Sequence, residues 1–182
     1  MFEQFKTRAE AVSAEVYRFA TKDLTLDFIV GFLQREGLAD EPQFYALWAE
    51  SPFLEGIDRQ ALRKIAGLKF EVTRDLAADA RFGISQVEWA LADTGTLVQN
   101  STAIEQRLVS SLPSIHIAIA PTSGILPDMP TLLTRLNPGD SGYIAMITGP
   151  SRTADIERVL TIGVHGPERL IIVFCDEPGG AD

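Results

Sequence analysis

An apolar stretch, Ile115-His116-Ile117-Ala118-Ile119-Ala120, ends before a proline and predicts a strand that is buried on both faces. A second stretch, Leu170–Phe174, predicts another strand of this kind. Residues 128–136 predict a helix, because Pro130 fits its first turn and Asn137-Pro138-Gly139 stops it. Buried strands that alternate with amphipathic helices are typical of a mainly parallel sheet with helices on both faces. The sequence therefore predicts an α/β fold.

The remaining elements follow the same rhythm. Residues 2–12 carry a helical stripe of apolar side chains, whereas Val16–Phe19 fits either the continuation of that helix or a strand. Residues 24–36 predict a helix that ends at Gly37. Further strands are predicted at Phe44–Trp48, Leu68–Val72 and Gly142–Ile147, and further helices at Arg59–Ala66 and Thr153–Leu160.

Length and composition limit the possible classes of protein. The chain has 182 residues, 46% of them hydrophobic, so we expect a single domain over residues 1–182. The 25 acidic residues outnumber the 16 basic ones, and the formal charge of -9 disfavours nucleic acid as a partner. No apolar run approaches the ~20 residues of a membrane span, and Met1–Lys6 lacks the pattern of a signal peptide. We expect a cytoplasmic protein without a membrane span.

Cys175 is the only cysteine of the chain. We therefore expect no internal disulfide, and no iron–sulfur cluster held by this chain alone, because such a cluster needs about four thiolates. The position of Cys175 at the end of an apolar strand predicts a buried, inert thiol. His116 and His165 are the only histidines, and no metal-binding motif is present. We expect no cofactor bound by this chain alone.

The first segment with candidate site residues is 83–98. Ser85 and Glu88 have the spacing of a capping box, which predicts a short helical turn. Asp93-Thr94-Gly95-Thr96 lies between two apolar runs and predicts a tight hairpin. The backbone N–H groups and the two threonine hydroxyls of this hairpin could hold an anion or a carbonyl. The spacing alone favours the alternative, in which its glycine serves only the turn, because such turn chemistry is common.

The second segment, Thr148–Glu157, follows an apolar strand and has the pattern of a helix start. Free N–H groups, the hydroxyls of Ser151 and Thr153 and the forked donor of Arg152 would form an anion site at a helix N-terminus. The alternative is a capped helix in which Arg152 pairs with an acidic residue such as Asp155. The spacing is neither that of a Walker loop nor that of a dinucleotide fingerprint.

Three further side chains are candidates. His165 lies in the loop Gly163–Pro167 and either carries a proton or holds its loop by hydrogen bonding. His116 lies inside an apolar strand, which favours a core histidine with satisfied hydrogen bonds. Arg107 could point a guanidinium into a site, and the usual alternative for an isolated arginine is a surface ion pair.

Four motifs occur in order along the chain: Ala92–Leu97, Arg107–Ile117, Ile147–Glu157 and Gly163–Pro167. With these motifs the sequence resembles the lactate-utilization, or LUD-domain, family. The resemblance covers residues 83–176, while residues 1–82 match only in the rhythm of helices and strands. Gln86 and Val87 stand where the family usually has glycine and a small residue, and Asp93 replaces a frequent glutamate. These differences are compatible with a ligand other than the one that the family binds.

The resemblance implies a three-layer α/β domain with a mainly parallel, mixed sheet, like that of the sugar-phosphate isomerase and CoA-transferase group. It also implies strands at Glu15–Phe19 and Phe44–Trp48. The implied role is that of one component of a multi-protein system that oxidises L-lactate to pyruvate in bacteria. Partner subunits of that system carry iron–sulfur clusters, which agrees with the single cysteine of this chain.

Three functional hypotheses follow. In the first, the chain is an accessory subunit that binds a small anionic metabolite through Arg152, while His165 exchanges a proton. In the second, it is an independent enzyme for a phosphorylated or CoA-linked metabolite, with Glu88 or Asp93 as the reactive carboxylate. In the third, it is a non-catalytic scaffold for the cluster-bearing subunits. The candidate catalytic residues are His165, Glu88 and Asp93, and the candidate ligand-binding residues are Thr94, Gly95, Thr96, Arg107, Thr148, Gly149, Ser151, Arg152 and Thr153.

Overall fold

The computed structural model describes residues 1–137, 139, 142–154, 160–162 and 165–177. The helices of this part are α1 Phe2–Ala11, α2 Lys22–Arg35, α3 Arg59–Arg63, α4 Arg74–Asp79, α5 Ile104–Ser111 and α6 Met129–Arg135. Its strands are β1 Glu15–Phe19, β2 Ala46–Trp48, β3 Leu68–Lys69, β4 Phe82–Gln86, β5 Trp89–Leu91, β6 Thr96–Asn100, β7 Ile115–Pro121, β8 Ile125–Leu126, β9 Ile144–Ile147, β10 Arg152–Ala154, β11 Leu160–Ile162 and β12 Arg169–Cys175.

A six-stranded parallel sheet in the order β1-β12-β7-β4-β2-β3 forms the centre of the fold. β7 and β12 pair along their whole length, from Ile115 opposite Arg169 to Pro121 opposite Cys175. Every residue of Ile115–Ala120 is buried. The two apolar strands and the parallel sheet predicted from the sequence are confirmed, as is β1, where the pattern alone left helix and strand open.

Side chains along each strand alternate between the two faces of this sheet, so both faces carry apolar residues. Helices cover both of these faces. On one face Ile117 and Ile171 belong to a core that includes residues of α2 and α3. On the other face Ile172 and Phe174 pack against α1, whose Phe5 ring lies 5.1 Å from the ring of Phe174. α4 and α5 pack against each other and against Leu47 of β2 through a smaller apolar core. The three-layer α/β architecture is therefore confirmed.

A smaller, mixed sheet lies on the α1 face, with strand order β8-β5-β6-β9. β5 and β6 are antiparallel and are joined by a tight turn in which Gly95 has a φ of 70°, so the predicted hairpin is confirmed. α6 packs against β5 and β8. β10 and β11 form a separate antiparallel pair.

Helix starts in this fold follow from local capping residues. Thr21, Asp58, Thr73 and Asp128 each precede a helix, and each side chain accepts a hydrogen bond from a backbone N–H of the first turn. Such caps satisfy donors that have no partner within the helix. Gly37 follows α2 with a φ of 89°, as expected for a residue just beyond a helix C-terminus.

Two predicted helical segments are wrong. Ser85 lies in β4, which pairs with β2 on one side and β7 on the other, so it does not begin a helical turn at the expected capping box. Pairing on both sides of a central strand outweighs a four-residue capping pattern. In place of the start and end of a helix over 153–160, Arg152–Ala154 pairs with Leu160–Ile162 as antiparallel strands. Residues 155–159 lie outside the described residues.

Candidate functional site

The Thr94–Thr96 turn packs on the C-terminal half of α1. A Cβ atom at Gly95 would overlap the backbone of Ala9, so only glycine allows both the positive φ and this close approach. The Thr96 hydroxyl lies 2.9 Å from the hydroxyl of Thr148, which joins the turn to the loop after β9. The turn is therefore fixed between α1 and that loop.

The loop after β9 packs against the end of the same helix. A Cβ atom at Gly149 would overlap the carbonyl oxygen of Val12. The guanidinium of Arg152 donates to that carbonyl oxygen and to the Ser13 hydroxyl, which lies 3.2 Å away. A cation at the free carbonyl groups of a helix C-terminus is stabilising. Arg152 thus caps α1, and the predicted helix N-terminus at Gly149–Arg152 is wrong, because Arg152 begins a strand.

The loop at residues 165–167 joins this group from the side of β12. The Ser151 N–H donates to the Pro167 carbonyl at 2.8 Å, and Gly166 lies against the Ser151 side chain. His165 is exposed. Because Val12 precedes β1 and Pro167 precedes β12, these motif segments meet at the amino ends of the parallel strands. Ligands of open α/β sheets generally bind at the opposite, carboxyl ends.

A group of polar side chains, four of them buried and Gln106 half-buried, runs from β7 to the carboxyl ends of β4 and β2. We call it the polar cluster, and its members are Ser85, Gln99, Ser101, Gln106 and His116. The Ser85 hydroxyl lies 2.7 Å from Nε2 of His116 and accepts from Nε2 of Gln99 at 2.7 Å. Gln99 also donates to Oε1 of Gln106 at 3.3 Å and accepts from the Ser101 hydroxyl at 3.0 Å. Gln106 donates to the Glu50 carbonyl, just beyond β2, at 2.8 Å.

His116 is uncharged at neutral pH. Its side chain is completely buried, and this burial lowers the pKa of the imidazole to about 3. Nε2 is paired with Ser85, whereas Nδ1 is buried and has no hydrogen-bond partner among the described residues. The expected location of His116 in the core is therefore confirmed. The expected hydrogen bonding is confirmed at Nε2 and is not found at Nδ1 among the described residues.

Glu88 flanks the polar cluster. Its Oε2 accepts a hydrogen bond from the Asn100 N–H at 2.6 Å, and Asn100 follows Gln99 in β6. Burial raises the pKa of the Glu88 carboxyl, and the hydrogen bond from Asn100 offsets part of this effect. A partly buried carboxyl of this kind holds its proton to higher pH than an exposed glutamate does. Asp93, the other carboxylate predicted for chemistry, is exposed on the β5–β6 turn.

Arg107 follows Gln106 in α5, the helix that packs against β4 and β7. Its guanidinium carbon lies 5.1 Å from the centroid of the Tyr143 ring. Its Nε is buried and lacks a hydrogen-bond partner in the described part of the chain, and no described carboxylate forms an ion pair with it. A guanidinium held against an aromatic ring with a free donor is suited to a carboxylate ligand.

The structure separates the predicted site residues into two groups. Those at the amino ends of β1 and β12, or on the hairpin and strand beside them, are Asp93, Thr94, Gly95, Thr96, Thr148, Gly149, Ser151, Arg152, Thr153 and His165. Those beside the polar cluster are Glu88 and Arg107. Sequence reasoning missed Gln99, Ser101 and Gln106. The available signal was Gln99 itself, a polar residue that directly follows the buried Leu97-Val98.

The described helices are all too short or too polar to cross a membrane. The described residues also contain no group of three or more histidine, cysteine, aspartate or glutamate side chains that could hold a metal ion. Cys175 is buried and unpaired, as predicted.

The fold and the polar cluster define this protein as an α/β domain with a polar site in its interior. Comparison with known proteins identifies its family. The sequence model of the LUD domain matches residues 2–175. This match spans almost the whole chain, including the first half. The chain belongs to the LUD domain family.

Curated relatives of this chain include proteins named Lactate utilization protein C. The one from Exiguobacterium sp. is 38% identical over 113 residues, which are 59% of this chain and 49% of that protein. The one from Bacillus subtilis is 39% identical over 107 residues, 56% of this chain and 45% of that protein. The chain spans about half the length of the curated relatives it matches.

The crystal structure of a DUF162 family protein from Deinococcus radiodurans has a similar fold. Its TM-score is 0.62 at 16% sequence identity, and the match covers 96% of this chain and 95% of that chain. At this low identity the likeness shows the fold alone.

Proposed function

We propose that this chain is an accessory component of a bacterial system that oxidises L-lactate to pyruvate, and that it binds a small carboxylate. The observation that carries the proposal is its 34–39% identity to several proteins named Lactate utilization protein C. We further propose a cytoplasmic location and partner subunits that hold iron–sulfur clusters. A chain with one cysteine cannot by itself supply the thiolates of such a cluster.

We place the carboxylate beside the polar cluster, with Arg107 as the binding residue. The support is its buried Nε, which has no hydrogen-bond partner among the described residues, and its position on the helix that packs against β4 and β7. The carboxyl ends of β2 and β4 lie next to this helix, at the end of an α/β sheet where ligands usually bind. Arg152, the other candidate arginine, already donates to Val12 and Ser13.

Isothermal titration calorimetry with L-lactate and pyruvate tests this assignment. Loss of a hydrogen bond to a charged group costs about 1.5–3 kcal/mol, so Arg107→Gln should raise the dissociation constant roughly tenfold or more. Arg152→Gln is the matched control, because it makes the same change at an arginine that caps α1. It should leave the dissociation constant unchanged.

Two outcomes contradict the proposal in different ways. No heat with either ligand at millimolar concentration would argue against a carboxylate site and favour the scaffold role. If Arg152→Gln abolishes binding and Arg107→Gln does not, the ligand binds at the amino ends of β1 and β12, with the hairpin and His165. Circular dichroism of both variants checks that they are folded.

A stand-alone enzyme for a phosphorylated or CoA-linked metabolite is the second candidate, and Glu88 is the observation that favours it. A partly buried carboxyl with a raised pKa beside a polar cluster could act as the reactive carboxylate. In that case the purified chain should turn over a short acyl-CoA without partners. Glu88→Gln should abolish this turnover.

A further inference from the structure

The hydrogen bonds of the polar cluster have a fixed direction, because one end of the network is a backbone carbonyl. The Glu50 carbonyl can only accept, so Gln106 presents Nε2 to it and Oε1 to Gln99. That oxygen requires a donor, so Gln99 presents Nε2 in return. The Gln86 carbonyl, 3.4 Å from the same Nε2, requires the same orientation of the Gln99 amide.

The same argument continues to the histidine. Nε2 of Gln99 donates to one lone pair of the Ser85 hydroxyl, and the described hydrogen bonds offer the Ser85 hydrogen no acceptor other than Nε2 of His116. If Nε2 of His116 instead donated to the second lone pair of Ser85, the buried Ser85 hydrogen and Nδ1 of His116 would both lack partners among the described residues. The arrangement that pairs the Ser85 hydrogen has Nε2 of His116 as an acceptor without a proton. Because the buried imidazole is neutral, its proton lies on Nδ1. His116 is therefore the Nδ1–H tautomer.

The Nδ1–H group is a buried donor that lacks an acceptor in the described part of the chain. The strand residues opposite His116 are Gly83 in β4 and Leu170 in β12, and neither side chain offers an acceptor. Native proteins rarely leave a buried donor unpaired, since water no longer compensates for the missing bond. A small molecule with an oxygen acceptor would satisfy it.

We infer that His116 is a ligand-binding residue whose Nδ1–H donates to an oxygen atom of the small carboxylate. This inference rests on the proposed function and adds a second binding group to it. Ser85, Gln99 and Gln106 are positioning residues, because they set the tautomer of His116 through hydrogen bonds before the ligand binds. They also tie the histidine to α5, the helix that carries Arg107.

Long-range ¹H–¹⁵N NMR spectra of the labelled full chain report the tautomer directly. The chain has two histidines, and a His165→Gln variant assigns their signals. We expect His116 to be protonated on Nδ1 and unprotonated on Nε2 at neutral pH. L-lactate should shift the Nδ1 signal of His116 and leave the signals of His165 unchanged. A proton on Nε2 in the free protein would overturn the inference.

Two variants at this position test the role of Nδ1. His116→Gln keeps a partner for Ser85 but has no donor at the place of Nδ1, so affinity for L-lactate should fall roughly tenfold. His116→Asn places an amide near Nδ1 and should recover part of the affinity. Calorimetric binding without a shift of the His116 signal in the native chain would overturn this inference alone. No heat with L-lactate or pyruvate would overturn it together with the proposed function.

Discussion

Gly95 and Gly56 both have a positive φ, at 70° and 78°, but their surroundings differ. A Cβ atom at Gly95 would overlap the backbone of Ala9, whereas one at Gly56 would have nothing within 4 Å. A side chain at either position costs about 1–2 kcal/mol for the left-handed conformation. Gly95→Ala must in addition displace α1 from the hairpin.

We therefore expect Gly95→Ala to lower the free energy of unfolding by clearly more than Gly56→Ala does. Urea denaturation of the two variants and the wild type measures both losses. Equal losses would mean that the hairpin moves freely and that α1 does not depend on this contact. The comparison isolates the contact, because both variants share the conformational penalty.

The elements that the sequence predicted well are those with a strong local signal. β7 and β12 are continuous apolar strands, and α2 buries one apolar face and ends before Gly37. Patterns of this kind act within a few residues, so the sequence is sufficient to recognise them. β4 was misread, because Ser85 and Glu88 carry a capping pattern while the pairing of β4 with β2 and β7 depends on distant residues.

The candidate site was predictable only in part, for the same reason. The hairpin at Gly95 was predicted correctly, whereas the segment after β9 was wrongly predicted to begin a helix. Gly95 and Gly149 are needed where these two segments approach Ala9 and Val12. The network from His116 to Gln106 joins residues of four different elements, and polar residues far apart in a sequence carry no sign that they will meet. Only the fold brings them together.

The stability of the whole domain should depend on pH through His116. The folded pKa is about 3 and the ordinary value is 6.5, so below pH 6.5 the unfolded chain takes up a proton that the folded chain does not. The free energy of unfolding must then decrease as the pH falls from 6.5 to about 3. The full difference corresponds to about 5 kcal/mol, the upper limit of this contribution.

Urea denaturation across this pH range tests the effect. His116→Gln removes the titrating group, so its free energy of unfolding should fall less steeply between pH 6.5 and pH 4 than that of the wild type. His165→Gln, at the exposed histidine, should retain the steep dependence. The same slope in both variants would contradict a neutral, buried His116.

The cysteine content of the chain determines which cofactor its partners must supply. One buried cysteine cannot hold an iron–sulfur cluster, so any cluster in the proposed oxidation system belongs to another subunit. When the chain is purified under native conditions from its own cells grown on lactate, we expect other proteins to co-purify with it. These proteins should contain iron and acid-labile sulfide and should absorb visible light. The recombinant chain alone should contain none of these. A chain that purifies alone from such cells would favour the stand-alone enzyme, and turnover of an acyl-CoA by that preparation would then decide between the two proposals.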